Sequence, residues 1–235
     1  MKYAVRNAAR KVGVELVRAR QRDATLLGHH LRHLFAVHQI DCVLDVGAQH
    51  GVYGRWLRGN GYRGRIVSFE PVSDSYARLA EGCDSDWTAV HCALGSENAQ
   101  ATINVARLSQ LSSFRQAGDG AGVVGTAIDT VATETVPVRR LDSGWEEWVP
   151  PGARVYLKID TQGWDLEVLA GLGDRQVTAV QTEVAVQPIY DGAPAMSDSL
   201  EALDRLGFVP SGMFPVTLDD QLRLVEFDCV AVRRG

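Results

Sequence analysis

Short apolar runs alternate with amphipathic stretches over most of this chain. The apolar runs predict buried strands, and apolar residues three or four positions apart predict helices. The predicted strands are 43–46, 66–70, 88–93, 155–160, 179–186, 208–213 and 226–232. The predicted helices are 73–82, 164–171, 197–206 and one around Leu27, Leu31, Leu34 and Phe35. This order predicts a mainly parallel, doubly wound α/β sheet with an antiparallel edge pair.

The middle of the chain follows a different pattern. Residues 101–106 and 136–141 alternate between apolar and polar side chains, as in a half-exposed hairpin or a sheet extension. The glycine-rich stretch 117–125 between them predicts a mobile loop.

Two glycines and an acid follow the first predicted strands. Gly47 and Gly51 allow a sharp turn and a close approach of a ligand to a helix N-terminus, where unpaired N–H groups can bind it. Glu70 ends the next predicted strand, where its carboxylate can accept hydrogen bonds from both hydroxyls of a ribose. The pattern predicts a nucleoside ligand, and glycines needed only for packing are the alternative.

The spacing around Gly47 separates two kinds of nucleoside. A dinucleotide fingerprint has a middle glycine that lets pyrophosphate approach the backbone, whereas this chain reads Gly-Ala-Gln-His-Gly from Gly47. Asp45, just ahead of the turn, would repel pyrophosphate but suits a cationic ligand such as S-adenosylmethionine. An NAD-dependent oxidoreductase is therefore the weaker alternative.

Several segments together resemble the FkbM-type methyltransferases, a branch of the class I S-adenosylmethionine-dependent enzymes. The segments are Leu44-Asp45-Val46-Gly47-Ala48, Ser68-Phe69-Glu70-Pro71, Cys92-Ala93-Leu94-Gly95, Leu157-Lys158-Ile159-Asp160 with Gly163, and Val168-Leu169-Ala170-Gly171, running on to Glu183. They cover roughly residues 40 to 232. The resemblance implies a class I, Rossmann-like methyltransferase fold and S-adenosylmethionine as the cofactor.

The chain departs from the family pattern at two positions. The family usually has Asn where Gln49 stands, and Gln still offers an amide to the ligand. It usually has Glu where Gln162 stands, so this chain lacks a charge there. Any role that the family gives to an acid at that position does not transfer to Gln162.

Four acids fall at or near the carboxyl ends of predicted strands: Asp45, Glu70, Asp160 and Glu183. Like charges at one partly buried rim are costly unless a ligand or a proton compensates them, so we expect a shared site. Methyl transfer to a hydroxyl requires alignment of the reactants and a base. Asp160 is the first candidate for that base and Glu183 the second, while Lys158 could pair with Asp160 or hydrogen-bond the acceptor. Alternatively, Asp160 only positions the methionine amino group or the acceptor hydroxyl.

The residues and the resemblance together define a predicted site. The predicted catalytic residues are Asp160, Glu183 and Lys158. The predicted cofactor-binding residues are Asp45, Gly47, Ala48, Gln49, Gly51, Glu70, Pro71, Ala93, Ser113 and Asp160. The predicted substrate-binding residues are His50, Trp164 and Tyr190. The two aromatic residues could stack on a sugar ring, although Trp164 could equally serve packing. We expect no metal, with Mg²⁺ held by the carboxylates as the alternative.

Composition narrows the class of protein. The length of 235 residues and a hydrophobic fraction of 46% fit one domain over 1–235, with 1–38 as an N-terminal helical extension. A net charge of −5 argues against a nucleic-acid partner. The cysteines form no C-x-x-C pair, which predicts buried reduced thiols in a cytoplasmic protein. No apolar run is long enough to predict a membrane span, and charges interrupt any signal peptide.

The first 24 residues carry an excess of Lys and Arg and predict an amphipathic helix with Val5, Ala9, Val12 and Leu16 on one face. Such a helix could rest on the anionic inner face of a membrane. The alternative is that its apolar stripe packs on the sheet or on a second subunit, as in a homodimer. His29 and His33, one helical turn apart, predict a solvated or partly packed histidine face rather than a metal site.

The leading hypothesis is an S-adenosylmethionine-dependent O-methyltransferase that acts on a sugar hydroxyl of a glycolipid or glycosylated metabolite. It rests on the resemblance, which is strongest to bacterial enzymes that methylate deoxysugars such as rhamnose on cell-envelope glycolipids. The alternatives are a Mg-dependent O-methyltransferase of a small natural product and a non-catalytic cofactor-binding protein.

Overall fold

Ten strands and six α-helices form the part of the chain, residues 22–235, that the computed structural model describes. The strands are β1 (Cys42–Val46), β2 (Arg65–Phe69), β3 (Trp87–Val90), β4 (Ala93–Leu94), β5 (Ala99–Ala106), β6 (Thr130–Arg139), β7 (Val155–Ile159), β8 (Ala179–Ala185), β9 (Phe208–Leu218) and β10 (Leu224–Arg233). The helices are α1 (Arg22–His38), α2 (Val52–Gly59), α3 (Ser73–Glu81), α4 (Trp145–Trp148), α5 (Asp165–Ala170) and α6 (Met196–Arg205).

Seven strands form the main sheet in the order β3-β2-β1-β7-β8-β10-β9. The first five are parallel, β10 is antiparallel to β8, and β9 is antiparallel to β10. This confirms the prediction of a doubly wound parallel sheet with an antiparallel edge pair. Because β10 runs in the opposite direction, its amino-terminal end lies at the rim where β7 and β8 end, with Glu226 opposite Ala185.

Successive side chains along the buried strands point to opposite faces of the sheet and form one apolar core on each face. Leu44 and Leu157 face a core completed by α4, α5 and α6. Val43 and Tyr156 face the opposite core, completed by α1, α2 and α3. Covering both faces is what makes these strands read as continuous apolar runs in the sequence.

A second, three-stranded sheet in the order β4-β6-β5 packs beside the main sheet through a small apolar cluster with Val72 of the β2–α3 connection. The antiparallel β5–β6 pair is the predicted hairpin or sheet extension. The predicted strand 88–93 ends earlier, at Val90, because Ala93 pairs with Val138 of β6 and leaves the main sheet.

Two further predictions differ from the structure in detail. The glycine-rich stretch contains a 3₁₀-helix, Asp119–Val123, and Gly118 N–H donates to Ile189 O at 2.9 Å, so it is docked on the chain near Tyr190. β9 extends to Leu218 rather than ending at Met213, because it pairs along most of β10.

The predicted helix around Leu27 to Phe35 is confirmed as α1, whereas the predicted helix over the first 24 residues lies mostly outside the described residues. None of the helices in residues 22–235 combines the length and apolarity needed to cross a bilayer. All four cysteines are free thiols, and burial raises the pKa of Cys42 to about 11. The cysteines therefore fit the predicted reduced state.

Candidate active site

The turn after β1 is shaped by glycine at two positions. Gly47 has φ +75°, and a Cβ there would lie 1.9 Å from the carbonyl oxygen of Asp160. Gly51 has φ +79°, and a Cβ there would lie 2.8 Å from a methyl carbon of Leu79. At Gly47 a backbone atom leaves no room for a side chain, and at Gly51 the positive φ would strain any other residue. The turn thereby brings the backbone of Gly47 and Gln49 to the rim of the sheet beside β7.

Glu70, at the end of β2, is held by two backbone donors. Gln49 N–H lies 2.7 Å from Glu70 Oε2, and Val72 N–H lies 2.9 Å from Oε1. Burial raises the pKa of Glu70 to about 7, although both backbone donors act in the opposite direction. Each carboxylate oxygen accepts a backbone bond and retains a lone pair, so Glu70 can also accept hydrogen bonds from two ligand hydroxyls.

A narrow cavity lies beside Glu70. The predicted cofactor residues that line it are Gly47, Gln49, Glu70, Pro71, Ala93 and Asp160. The second sheet and its flanking loop close the other side with Ile103, Ser112 and Phe114. The cavity combines apolar walls with one buried acid, which is a suitable environment for a nucleoside.

Other predicted cofactor residues lie away from the narrow cavity. Ala48 lines a neighbouring cleft, and Gly51 supports the turn. Ser113 is buried, and its hydroxyl donates to the carbonyl of Gln162 at 2.7 Å. Asp45 is fully buried and accepts a hydrogen bond from Ser68 at 3.0 Å. Asp45 and Ser113 therefore support site residues rather than line the cavity.

Lys158 connects Asp45 to the open site. Its Nζ lies 3.4 Å from Asp45 Oδ1 and 3.3 Å from Asp160 Oδ2, and it lies over the ring of Tyr53. Burial alone would lower the pKa of Lys158, but the carboxylates of Asp160 and Asp45 outweigh burial and raise it above its ordinary value. Lys158 is therefore a fixed cation that pairs with Asp160, one of the two roles expected for it.

A wide cleft opens on the other side of Asp160. Its floor carries Asp160 and Glu183, as predicted, together with Glu226 and Asp228 of β10. Burial raises the pKa of Glu183 well above its ordinary value and that of Asp228 to about 6, and the charge of Asp160 adds to both shifts. The floor of the cleft is thus acidic, and the raised pKa values favour the protonated forms of Glu183 and Asp228.

Glu226 and Asp228 were not among the site residues predicted from the sequence. The available signal was their alternation in the apolar run 224–233, which places both on one face of β10. Their place at the rim follows only from the antiparallel direction of β10.

The mouth of the wide cleft is apolar. Its lining includes Leu27, Val52, Trp56, Leu108, Leu111, Val124 and Val216. Val52 and Val216 are each at least half exposed, at 60% and 50%. A polar floor beneath an apolar mouth suits a ligand with a hydrogen-bonding end and an apolar end.

The three predicted substrate residues do not line the wide cleft. Trp164 lines the narrow cavity and packs against Phe114, with 5.2 Å between ring centroids. Tyr190 is only 4% exposed, in a cluster with Ile128 and Ile189, so it offers no open face for stacking on a sugar. His50 lines neither the narrow cavity nor the wide cleft. Trp56, which the sequence analysis did not select, is the indole at the mouth of the wide cleft.

No group of three or more His, Cys, Asp or Glu side chains among residues 22–235 is arranged to hold a metal ion. His29 and His33 instead stack on each other, with 5.9 Å between ring centroids.

A protein-family model described as the methyltransferase FkbM domain matches residues 45–210. A search of curated proteins found no match. Among solved structures, a putative O-methyltransferase from Klebsiella pneumoniae is similar with a TM-score of 0.48 and 12% identity, over 98% of this chain and 89% of that one. A fibrillarin from Methanococcus jannaschii has a TM-score of 0.49 and 10% identity, over 83% and 67%. A SAM-dependent methyltransferase from Aquifex aeolicus has a TM-score of 0.40 and 10% identity, over 82% of each chain. Similarities this distant do not identify a substrate.

Proposed function

The chain belongs to the FkbM methyltransferase family and is an S-adenosylmethionine-dependent methyltransferase, and on that premise we propose that it methylates a sugar hydroxyl, as an O-methyltransferase. The observation that carries the proposal is the place of Asp160. The narrow cavity and the wide cleft meet at this residue, and its side chain is 39% exposed. A ligand in the narrow cavity and a ligand in the wide cleft can therefore both reach the carboxylate of Asp160.

The residues around the narrow cavity fit the cofactor. Glu70 would bind the ribose hydroxyls, and the glycine turn leaves the backbone of Gly47 open to close approach. Pro71 and Ala93 would contact the adenosine. When bound, S-adenosylmethionine supplies a methyl group on a positively charged sulfur, and the carboxylate of Asp160 at the same wall suits that charge.

Asp160 is the proposed base that takes the proton from the acceptor hydroxyl. Lys158 Nζ holds its Oδ2, and the neighbouring Glu183 is the second candidate for the same role. A positioned base contributes roughly 10²- to 10⁴-fold to such reactions. The alternative, in which Asp160 only orients the acceptor, predicts a smaller loss when its charge is removed.

The wide cleft supports an uncharged, hydroxyl-bearing acceptor with an apolar portion. Carboxylates at the floor accept hydrogen bonds from hydroxyls and repel anions. Glu183, Glu226 and Asp228 together give the floor acceptors for several hydroxyls, while Trp56 offers an apolar surface at the mouth. A neutral glycolipid has this division between a polar head and an apolar tail.

The test is an acceptor screen with S-adenosylmethionine, read by the mass gain of one methyl group. Octyl α-L-rhamnopyranoside, methyl α-L-rhamnopyranoside and the anionic octyl β-D-glucuronide are compared, each with and without EDTA. We expect methylation of the octyl rhamnoside, weaker methylation of the methyl glycoside, little of the glucuronide, and no effect of EDTA. Methylation of the glucuronide alone, or at its carboxylate rather than at a hydroxyl, would contradict the proposal.

The wider organisation of the chain is part of the same proposal. Residues 1–235 would form one methyltransferase domain with 1–38 as its helical extension. In that extension the basic first 24 residues would contact the membrane, or would pack on the sheet or on a second subunit. Flotation of the full chain and of a chain lacking residues 1–24 with vesicles containing anionic lipid separates these cases. Equal flotation of both would remove the membrane contact.

A further inference from the structure

Gln162 occupies an unusual position between the two spaces. It is buried at 8% exposure, and its φ of +55° is rare for a residue other than glycine. The turn is held from outside by Ser113, whose hydroxyl donates to the Gln162 carbonyl at 2.7 Å, and by Arg115, whose Nε donates to the Gly163 carbonyl at 2.6 Å. A backbone fixed in this way fixes the direction of the Gln162 side chain.

The side-chain amide of Gln162 bridges the two candidate bases. Its Nε2 lies 2.9 Å from Asp160 Oδ1 and 3.1 Å from Glu183 Oε2. Its Oε1 lies 2.8 Å from the hydroxyl of Tyr190. An amide nitrogen has two hydrogens, one for each carboxylate, whereas the reversed amide would present its oxygen to both acids. The two carboxylates therefore require the observed orientation. The hydroxyl of Tyr190 can donate its one hydrogen to the amide oxygen, although the carbonyl of Leu111, 2.9 Å away, competes for it.

The two carboxylates differ in their hydrogen-bond donors. Asp160 is bonded at both oxygens, to Lys158 at Oδ2 and to Gln162 at Oδ1. Donors to a carboxylate favour its ionised form, and a neighbouring acid disfavours a second charge. Asp160 therefore has a cation and an amide on one carboxylate, and the second hydrogen of the same amide is directed at Glu183 Oε2.

We propose that Gln162 is a positioning residue, whose single amide fixes the carboxylates of Asp160 and Glu183 relative to each other. This inference rests on the proposed function only in taking Asp160 as the base. Because Gln162 bonds to the two carboxylates, it would act on methyl transfer through them.

The test uses Gln162→Met, which keeps the side-chain length and removes the amide, and Gln162→Glu, which replaces the donor with a third acid. Both substitutions retain an unbranched side chain at the unusual φ. Gln116→Glu, the same chemical change at an exposed position, is the matched control. Binding of S-adenosylmethionine and the melting temperature, measured for each variant, show whether the protein remains folded.

The first readout needs no acceptor. The side-chain carboxyls are followed by ¹³C NMR during a pH titration, with signals assigned through Asp160→Asn and Glu183→Gln. Because Gln162→Met removes a donor to Glu183, we expect it to move the titration of Glu183 to higher pH by about one unit, and Gln162→Glu to move it further. An unchanged titration in both folded variants would overturn the proposal, whether or not the protein methylates sugars.

The second readout is the pH–rate profile with an acceptor that the screen identifies. We expect kcat to fall by about 10- to 100-fold in Gln162→Met and the acidic limb of the profile to move to higher pH, with little change in cofactor affinity. Tyr190→Phe should produce a smaller shift in the same direction, and the double variant should fall short of the sum of the two effects. A shifted NMR titration with unchanged kcat would contradict the positioning role.

Discussion

The narrow cavity and the wide cleft share a wall but differ in how the chain builds them. The turn after β1 and the end of β2 supply Gly47, Gln49 and Glu70 to the narrow cavity, and these segments are separated in the sequence by α2 and β2. Most of the remaining lining comes from β4, β5, the loop after β5 and the turn after β7. The floor of the wide cleft comes from β7, β8 and β10, which are far apart in sequence. The residues proposed for the ribose of the cofactor therefore lie within one stretch of the chain, whereas the floor proposed for the acceptor depends on the direction of the edge strands. A substitution in one space should therefore change the binding of one ligand only, except where the two spaces meet.

Asp160 lies at that junction and should give the largest effect. Asp160→Asn removes the base while keeping the size of the side chain, so kcat should fall by about 10³-fold or more with cofactor affinity changed less than about tenfold. Turnover is followed by mass spectrometry, and binding by calorimetry. Asp174→Asn, on the exposed surface, is the control. A large loss of cofactor affinity would instead place Asp160 among the binding residues.

Substitution of Glu70 should change only ligand binding in the narrow cavity. Glu70→Ala removes a charged hydrogen-bond acceptor, so affinity for S-adenosylmethionine should fall by about 10- to 100-fold, or about 1.5–3 kcal/mol. Ribose hydroxyls donate to the ionised form, and the pKa of Glu70 is raised to about 7. Wild-type affinity should therefore weaken as the pH falls below 7, and the variant should lose this dependence. Calorimetry at several pH values measures both, with the exposed Glu81→Ala as control.

Substitution of Glu226 should change only acceptor binding in the wide cleft, and by less than substitution of Glu70 changes cofactor binding. Glu226→Gln keeps the shape of a floor residue but weakens its acceptance of hydroxyl hydrogen bonds, so the acceptor KM should rise by about 3- to 10-fold. Cofactor affinity should not change. Steady-state kinetics test this, and Glu201→Gln on the outside of α6 provides the comparison. Equal losses for cofactor and acceptor would show that the two spaces are not separable.

The smallest expected effect is the pH dependence of stability without ligand. Burial raises the folded-state pKa of Glu70 to about 7, and that of Asp165 and Asp228 to about 6. The folded state therefore binds protons more tightly than the unfolded state, so stability should fall as the pH rises from about 4 to 7. We expect the melting temperature to fall by a few degrees over this window, measured by calorimetry. A rise over the same window would contradict these shifts.

The sequence predicted those features whose physical cause is local. The apolar runs predicted the strands, their mainly parallel arrangement and the antiparallel edge pair. Gly47, Gly51 and Glu70 were predicted to form the cofactor end because a turn and a strand end are recognisable over a few residues. The sequence could not predict that β4 would leave the main sheet, since apolar runs of the same kind occur in both sheets.

The acceptor side was harder to predict because its contacts are long-range. Asp228 and Glu226 reach the floor only through the antiparallel pairing of β10 with β8. Tyr190 was expected to meet substrate, but packing against the docked 3₁₀ segment buries its ring and turns its hydroxyl to Gln162. Local pattern identified Tyr190 as a chemically interesting residue but could not give its direction.

The most direct test of the division between the two spaces is a crystal structure with S-adenosylhomocysteine. We expect the adenosine to lie in the narrow cavity, with its ribose hydroxyls within hydrogen-bond distance of Glu70. We expect the sulfur to face Asp160, where the wide cleft begins. A nucleoside bound in the wide cleft, or a sulfur directed away from Asp160, would contradict the division between the two spaces.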